Sequence, residues 1–117
     1  MIGKFTLTGL EFHSYHGVYD LEKLNGQTFK VDISFETNID AASQSDSLID
    51  TIDYTYIYEL IKEQMNIRSS LLEHVALRIV HSIKVKVLAV QNIELTLTKV
   101  NPPIDAVIEG ISLTVKV

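Results

Sequence analysis

The sequence contains no cysteine. That excludes a disulfide scaffold, a zinc–thiolate site and a thiol nucleophile, and it fits a reducing compartment. Proline occurs only as the pair Pro102-Pro103, so no proline-rich linker divides the chain. There is no basic run, and the net charge is −5. Together these remove the electrostatic case for nucleic acid or an anionic membrane surface as a partner. No uninterrupted apolar run approaches the roughly 20 residues a membrane-spanning helix needs. The start, Met1-Ile2-Gly3-Lys4-Phe5, enters a strand pattern without a basic-then-apolar signal segment. The expectation is a soluble cytoplasmic protein, and 117 residues with 46% apolar content provide for a single domain, 1–117, with a real core.

What is present is a run of alternating strands and two amphipathic helices. The most regular stretch is Ile93-Glu94-Leu95-Thr96-Leu97-Thr98-Lys99. Ile93, Leu95 and Leu97 share one face, and Lys99 falls in phase with them just before the two prolines end the ladder. A lysine on the apolar side costs free energy unless a carboxylate, a hydroxyl or a ligand meets it. Either the side chain snorkels out at a strand end, or it is a desolvated amine able to give and take protons near neutrality.

At the N-terminus, Phe5 and Leu7 alternate with threonines, and the apolar phase switches after Gly9 to Leu10 and Phe12. A glycine at a phase switch predicts a bulge within one long strand. A polar loop, Tyr19 to Gly26, carries an Asn-Gly turn signal and leads to a second strand with Phe29, Val31, Ile33 and Phe35 on one face. Residues 38–50 read as a short helical turn or an irregular connection. Asp53 is placed to cap a helix with the stripe Ile57, Leu60, Ile61 and Gln64/Met65. A second helix carries Leu72, Val75, Ala76, Ile79, Val80 and Ile83, and a last strand carries Ile111, Leu113, Val115 and Val117. The fold class is α+β: a four-stranded antiparallel sheet in ββααββ order, with both helices on its apolar face. Such a sheet has two unpaired edges, and closing several sheets edge to edge into a barrel of subunits removes them.

Five further positions compete for chemistry. Glu22 reads either as a solvated loop acid or as a site carboxylate. Tyr54 follows the helix cap and reads as a packed tyrosine with a wet hydroxyl. Ser70-x-x-Glu73 is a capping-box pattern, so Glu73 either closes the helix start or faces a ligand's N–H donors. His13 and His16 have the spacing of a metal pair but no evident third ligand.

Taken together, five segments resemble the dihydroneopterin aldolases of folate biosynthesis, over essentially the whole chain. They are Tyr15-His16-Gly17-Val18 with Glu22; Gly26-Gln27-x-Phe29-x-Val31-Asp32; Asp50-Thr51-Ile52-Asp53-Tyr54; Leu71-Leu72-Glu73-His74-Val75-Ala76; and Lys99-Val100-Asn101-Pro102-Pro103-Ile104. The resemblance implies the tunnelling fold, with four sheets closing into a barrel and two rings stacking as a homo-octamer with sites between subunits. It also implies a small pterin as substrate and retro-aldol cleavage of 7,8-dihydroneopterin, with neither a metal nor another cofactor. In that scheme Glu73 and the Leu72 backbone hold the pterin ring, and Lys99 is the general acid/base. Tyr54 assists proton transfer from the neighbouring subunit, and Glu22 binds the substrate hydroxyls and supports Lys99. Two departures bear, in turn, on the loop near Lys99 with the subunit contacts and on side-chain preference. Ile104-Asp105-Ala106-Val107 replaces the Pro-Gly common after the last motif, and Ser14 and Tyr19 are untypical. The alternatives are an epimerase of dihydroneopterin or its triphosphate, a zinc-dependent relative of the pyruvoyl-tetrahydropterin synthase kind, and a non-catalytic pterin-binding ring.

Overall fold

The computed structural model describes residues 1–117. Its strands are β1 (Ile2–Ser14), β2 (Gln27–Asn38), β3 (Gln91–Val100) and β4 (Gly110–Lys116). They form one antiparallel sheet in the order β1-β2-β3-β4. The two main helices, α3 (Tyr54–Met65) and α4 (Leu72–Lys86), follow two short ones, α1 (Asp20–Asn25) and α2 (Asp40–Ser45), and a single 3₁₀ turn at Leu48–Asp50. The ββααββ order expected from the pattern is thus present, with short helices added in the connections.

The core forms where alternating strands meet helical stripes. Phe29, Val31, Ile33 and Phe35 of β2 and Ile93, Leu95 and Leu97 of β3 are buried against Ile57, Leu60, Ile61 and Met65 of α3 and Val75, Ala76, Ile79 and Ile83 of α4. Burying each of the larger side chains contributes about 1.5–3 kcal/mol, which is why two short amphipathic helices hold to the sheet. The opposite face of β3 and β4 is polar. Its hydroxyls pair across the strands, Thr96 with Thr114 at 2.8 Å and Thr98 with Ser112 at 2.7 Å.

The bulge expected at Gly9 is present. The β1–β2 register shifts between Leu7 and Leu10, Gly9 takes φ 72°, and its N–H donates to the Asp32 carboxylate at 2.7 Å. Asp53 caps α3 as expected, its carboxylate accepting from the Thr55 N–H at 2.9 Å. Two expectations need correction. Tyr19 to Gly26 is not a polar loop, because residues 20–25 coil into α1, with Gly26 at φ 65° ending it. The Ser70/Glu73 capping box does not form either. The cap position of α4 is Leu71, without a side-chain hydrogen bond, and the Ser70 hydroxyl meets only the Arg68 guanidinium at 3.4 Å. No helix is long and apolar enough to cross a membrane.

Candidate active site

Lys99 sits where the alternation of β3 places it, beside Phe29 of β2 and Ile111 of β4 in the sheet register. Its stem lies along the apolar face, with Nζ 6.0 Å from the centre of the Phe29 ring. It neither snorkels into solvent nor remains unpaired. Nζ donates to Glu22 Oε2 at 2.7 Å, and the two side chains are only 13% and 5% exposed.

α1 delivers Glu22 to that position. With Glu22 on the third residue of the helix, its Oε1 accepts from the Tyr19 N–H at 3.2 Å, the half of a capping arrangement that the sequence pattern had suggested for Glu73 instead. Gln27, the first residue of β2, donates its amide to Glu22 Oε2 at 2.7 Å and to the His16 carbonyl at 3.3 Å. Burial pushes the Glu22 carboxyl up. Hydrogen bonds from Lys99, Gln27 and the Tyr19 N–H, together with the Lys99 charge, outweigh it, and the net effect is a carboxyl below the usual range. Glu22 is therefore a buried carboxylate, not a solvated loop acid.

A second cluster lies behind this pair. His16 is 1% exposed, and its ring packs edge-on to Phe29 with centroids 5.1 Å apart. Its Nδ1 accepts from the Ser69 N–H at 3.1 Å, and Nε2 is buried without a hydrogen bond of ordinary geometry. Burial, then the charges of Arg78, Arg68 and Lys99, lower its pKa to about 4, with the Met65 backbone pulling weakly the other way. The Gly17 N–H donates to the Ser69 carbonyl at 3.1 Å, and Arg68 donates to the Gly17 carbonyl. The Ser69 hydroxyl accepts from Arg78 at 2.9 Å and pairs with His74 Nδ1 at 2.6 Å. His13 is exposed, and its Nε2 is 3.0 Å from the Asn25 carbonyl. The two histidines of the possible metal pair thus have separate partners, and no group of three or more histidine, cysteine or acidic residues is arranged to hold a metal ion.

Neither Glu73 nor Tyr54 makes a side-chain hydrogen bond or ion pair with Lys99 or Glu22. Glu73 is exposed at the start of α4 without a side-chain hydrogen bond or ion pair. It borders a groove of about 370 Å³ between α4 and β4, walled by Ala76, Val80, Leu113 and Val115. Leu72 beside it is half-buried against the core. Tyr54 is 57% exposed at the first turn of α3. Reading the sequence missed the parts played by His16, Gln27 and Ser69. His16 and Gln27 fall within the segments of resemblance, but neither periodicity nor spacing distinguishes a buttress from a core side chain, and no local pattern marks Ser69.

Fold and site together define an α+β protein whose sheet ends in a buried, hydrogen-bonded ammonium–carboxylate pair. Residues 5–116 match the family described as FolB, dihydroneopterin aldolase. A dihydroneopterin aldolase of Staphylococcus epidermidis is 36% identical over 110 residues, which are 93% of this chain and 91% of that protein. One from Bacillus subtilis is 33% identical over 113 residues, 96% of this chain and 94% of that one. The crystal structure of an E. coli dihydroneopterin aldolase in complex with neopterin superposes with a TM-score of 0.88 over 97% of both chains, at 21% identity. The chain belongs to the dihydroneopterin aldolase family.

Proposed function

We propose that this protein cleaves 7,8-dihydroneopterin by a retro-aldol reaction to 6-hydroxymethyl-7,8-dihydropterin and glycolaldehyde. The observation that carries the reading is the Lys99–Glu22 pair, an amine held 2.7 Å from a carboxylate with little exposure of either side chain to solvent. The family and the relatives' names supply the substrate class. Lys99 in its amine form takes the proton of the substrate's 2′-hydroxyl. The C1′–C2′ bond breaks, its electron pair passes into the C6=N5 imine of the pterin, and glycolaldehyde leaves. The resulting enamine takes a proton on carbon from the Lys99 ammonium, which Glu22 holds in place. The substrate supplies its own electron sink, so the scheme requires neither a lysine Schiff base nor a metal.

In this reading Glu73, free of any partner within the chain, accepts the 2-amino and N3–H donors of the pterin as a parallel pair, with the Leu72 backbone alongside. The exposure of Tyr54 and the two outer strands, β1 and β4, support completion by a neighbouring subunit. Sheets joined edge to edge into a ring of four, and two rings stacked into an octamer, would bring Tyr54 of one subunit to the Lys99 of the next.

Incubation with 7,8-dihydroneopterin in the presence of a chelator, followed by chromatography, tests the reading. Hydroxymethyl-dihydropterin is the expected product, and a monapterin-type epimer as sole product would replace the aldolase reading with the epimerase one. Lys99→Ala is expected to retain pterin binding and lose turnover, whereas Glu73→Ala loses binding. Unchanged turnover in Lys99→Ala would remove Lys99 from the mechanism.

A further inference from the structure

Two separate parts of the chain carry the chemistry assigned above. The proton-exchanging pair stands on α1 and the end of β3, and the pterin-anchoring carboxylate stands at the start of α4. No hydrogen bond joins Glu73 to Lys99 or Glu22, so their relative position depends on what fastens the two supporting segments. Those segments meet at residues 16–17 and 68–69, where three hydrogen bonds cross. The Ser69 N–H donates to His16 Nδ1 at 3.1 Å, the Gly17 N–H donates to the Ser69 carbonyl at 3.1 Å, and Arg68 donates to the Gly17 carbonyl.

On one side the fastening leads directly to the pair. The His16 carbonyl and Glu22 Oε2 accept from the same Gln27 amide nitrogen, and the His16 ring packs against the phenyl ring that lies under Lys99. Gly17 lies so close beneath Glu22 that a Cβ there would stand 2.3 Å from the carboxylate carbon. On the other side Ser69 is three residues before Leu72 and four before Glu73, and its hydroxyl is tied into α4 through His74 and Arg78.

We propose that His16 is a positioning residue for the reaction: its Nδ1 lone pair, by accepting the Ser69 N–H, sets the distance between the Lys99–Glu22 pair and the pterin anchor on α4. The imidazole does this only with Nδ1 unprotonated and the hydrogen on Nε2. A phenyl ring fills the space without that acceptor, and so leaves a buried N–H unpaired and the two segments free to drift. A misplacement of about 1 Å between reacting groups costs on the order of 100-fold in rate. Each half of the site survives intact, so the loss falls on kcat and not on binding.

The inference rests on the aldolase reading, and the experiment separates the two. Wild type, His16→Phe, His16→Asn and Arg68→Met are compared for cleavage of 7,8-dihydroneopterin, for binding of 6-hydroxymethylpterin by fluorescence, and for thermal melting. His16→Phe is expected to lower kcat about 10- to 100-fold with product binding within about threefold of wild type. His16→Asn, whose Oδ1 stands where Nδ1 stood, restores most of the rate, and Arg68→Met shows a milder loss of the same kind. A wild type without turnover sinks the aldolase reading itself. An active wild type with wild-type kcat in His16→Phe overturns the positioning role alone. Equal loss in His16→Phe and His16→Asn also overturns it, by reducing the residue to a space-filler. Should His16→Phe fail to fold, the rescue by His16→Asn and the loss in Arg68→Met decide the matter by the same criteria.

Discussion

Replacing Lys99 by methionine keeps an apolar stem along the same path and removes the ammonium. Glu22, 5% exposed, is then a buried carboxylate whose remaining partners are the Gln27 amide and the Tyr19 N–H. Breaking one side of a buried pair costs about 3–5 kcal/mol, because the surviving charge is left uncompensated. The lysine side chain retains 13% exposure, which places the loss near the lower end, about 3 kcal/mol. At roughly 4 °C per kcal/mol for a domain of about 100 residues, that lowers Tm by about 12 °C at pH 7. The pH dependence is the sharper observable. In the wild type the folded-state pKa of Glu22 is depressed, so its contribution is present above the unfolded carboxyl value and is lost as pH falls through the folded value. In Lys99→Met, burial acts with less opposition and raises the carboxyl. The folded variant then holds its proton more tightly than the unfolded chain does, and it gains stability as pH falls. The gap in Tm between the two proteins therefore narrows on acidification from pH 7 to about 4.5. The depressed His16 contributes an acid-side loss to both proteins and largely cancels in the difference. Differential scanning calorimetry at fixed protein concentration measures the gap, and Glu22→Gln in the Lys99→Met background, which removes the orphaned charge but keeps an acceptor, is expected to recover more than half of it. A gap that stays constant or widens on acidification would refute the claim that Glu22 is held ionised by Lys99.

Gly17→Ala places a methyl 2.3–2.5 Å from the carboxyl carbon and both carboxyl oxygens of Glu22, at a backbone φ of +150°. Overpacking of this kind costs about 1–3 kcal/mol. It is expected to lower the urea midpoint and to reduce kcat by at least about tenfold by pushing Glu22 off Lys99; an unchanged midpoint contradicts the close approach. Ser70→Ala is expected to leave Tm within about 1 °C of wild type, because the hydroxyl caps nothing in the folded chain; a loss near 4 °C, the equivalent of about 1 kcal/mol, would restore the capping-box reading.

Where side chains repeat with a period, the fold was legible before any coordinates. The phase of Lys99 on β3, the stripes of α3 and α4, the Asp53 cap and the Gly9 bulge all follow from alternation or helical spacing, since burial of one face fixes which way every neighbour points. Short helices were less visible. α1 is six residues long with Leu21 and Leu24 exposed, and so small an element is held by its ends and neighbours more than by propensity. The capping box at Ser70 was a sound local pattern that lost to tertiary demands, because Ser69 and Arg68 are recruited to Gly17 and His16 and the helix starts from Leu71. The site divides the same way. The Lys99–Glu22 meeting spans 77 residues of sequence, and neither residue's local pattern names the other. The resemblance paired them, and the roles of His16, Gln27 and Ser69 emerged only from the folded geometry.

The bulge at Gly9 works like a frame shift in a written message. Leu7 lies opposite Ile33 and Leu10 opposite Val31, so three steps along β1 match two along β2. Phe5, Leu7, Leu10 and Phe12 consequently all pack toward the core. Deleting a single residue there would leave Phe5, Leu7, Leu10 and Phe12 in plain alternation opposite the same partners, whereas a one-residue gap elsewhere in β1 would invert the parity of everything on one side of it and turn apolar side chains to the hydroxyl-lined face. Along β1, then, a one-residue gap between Leu7 and Leu10 is a small edit, whereas the same gap outside the bulge rewrites the strand.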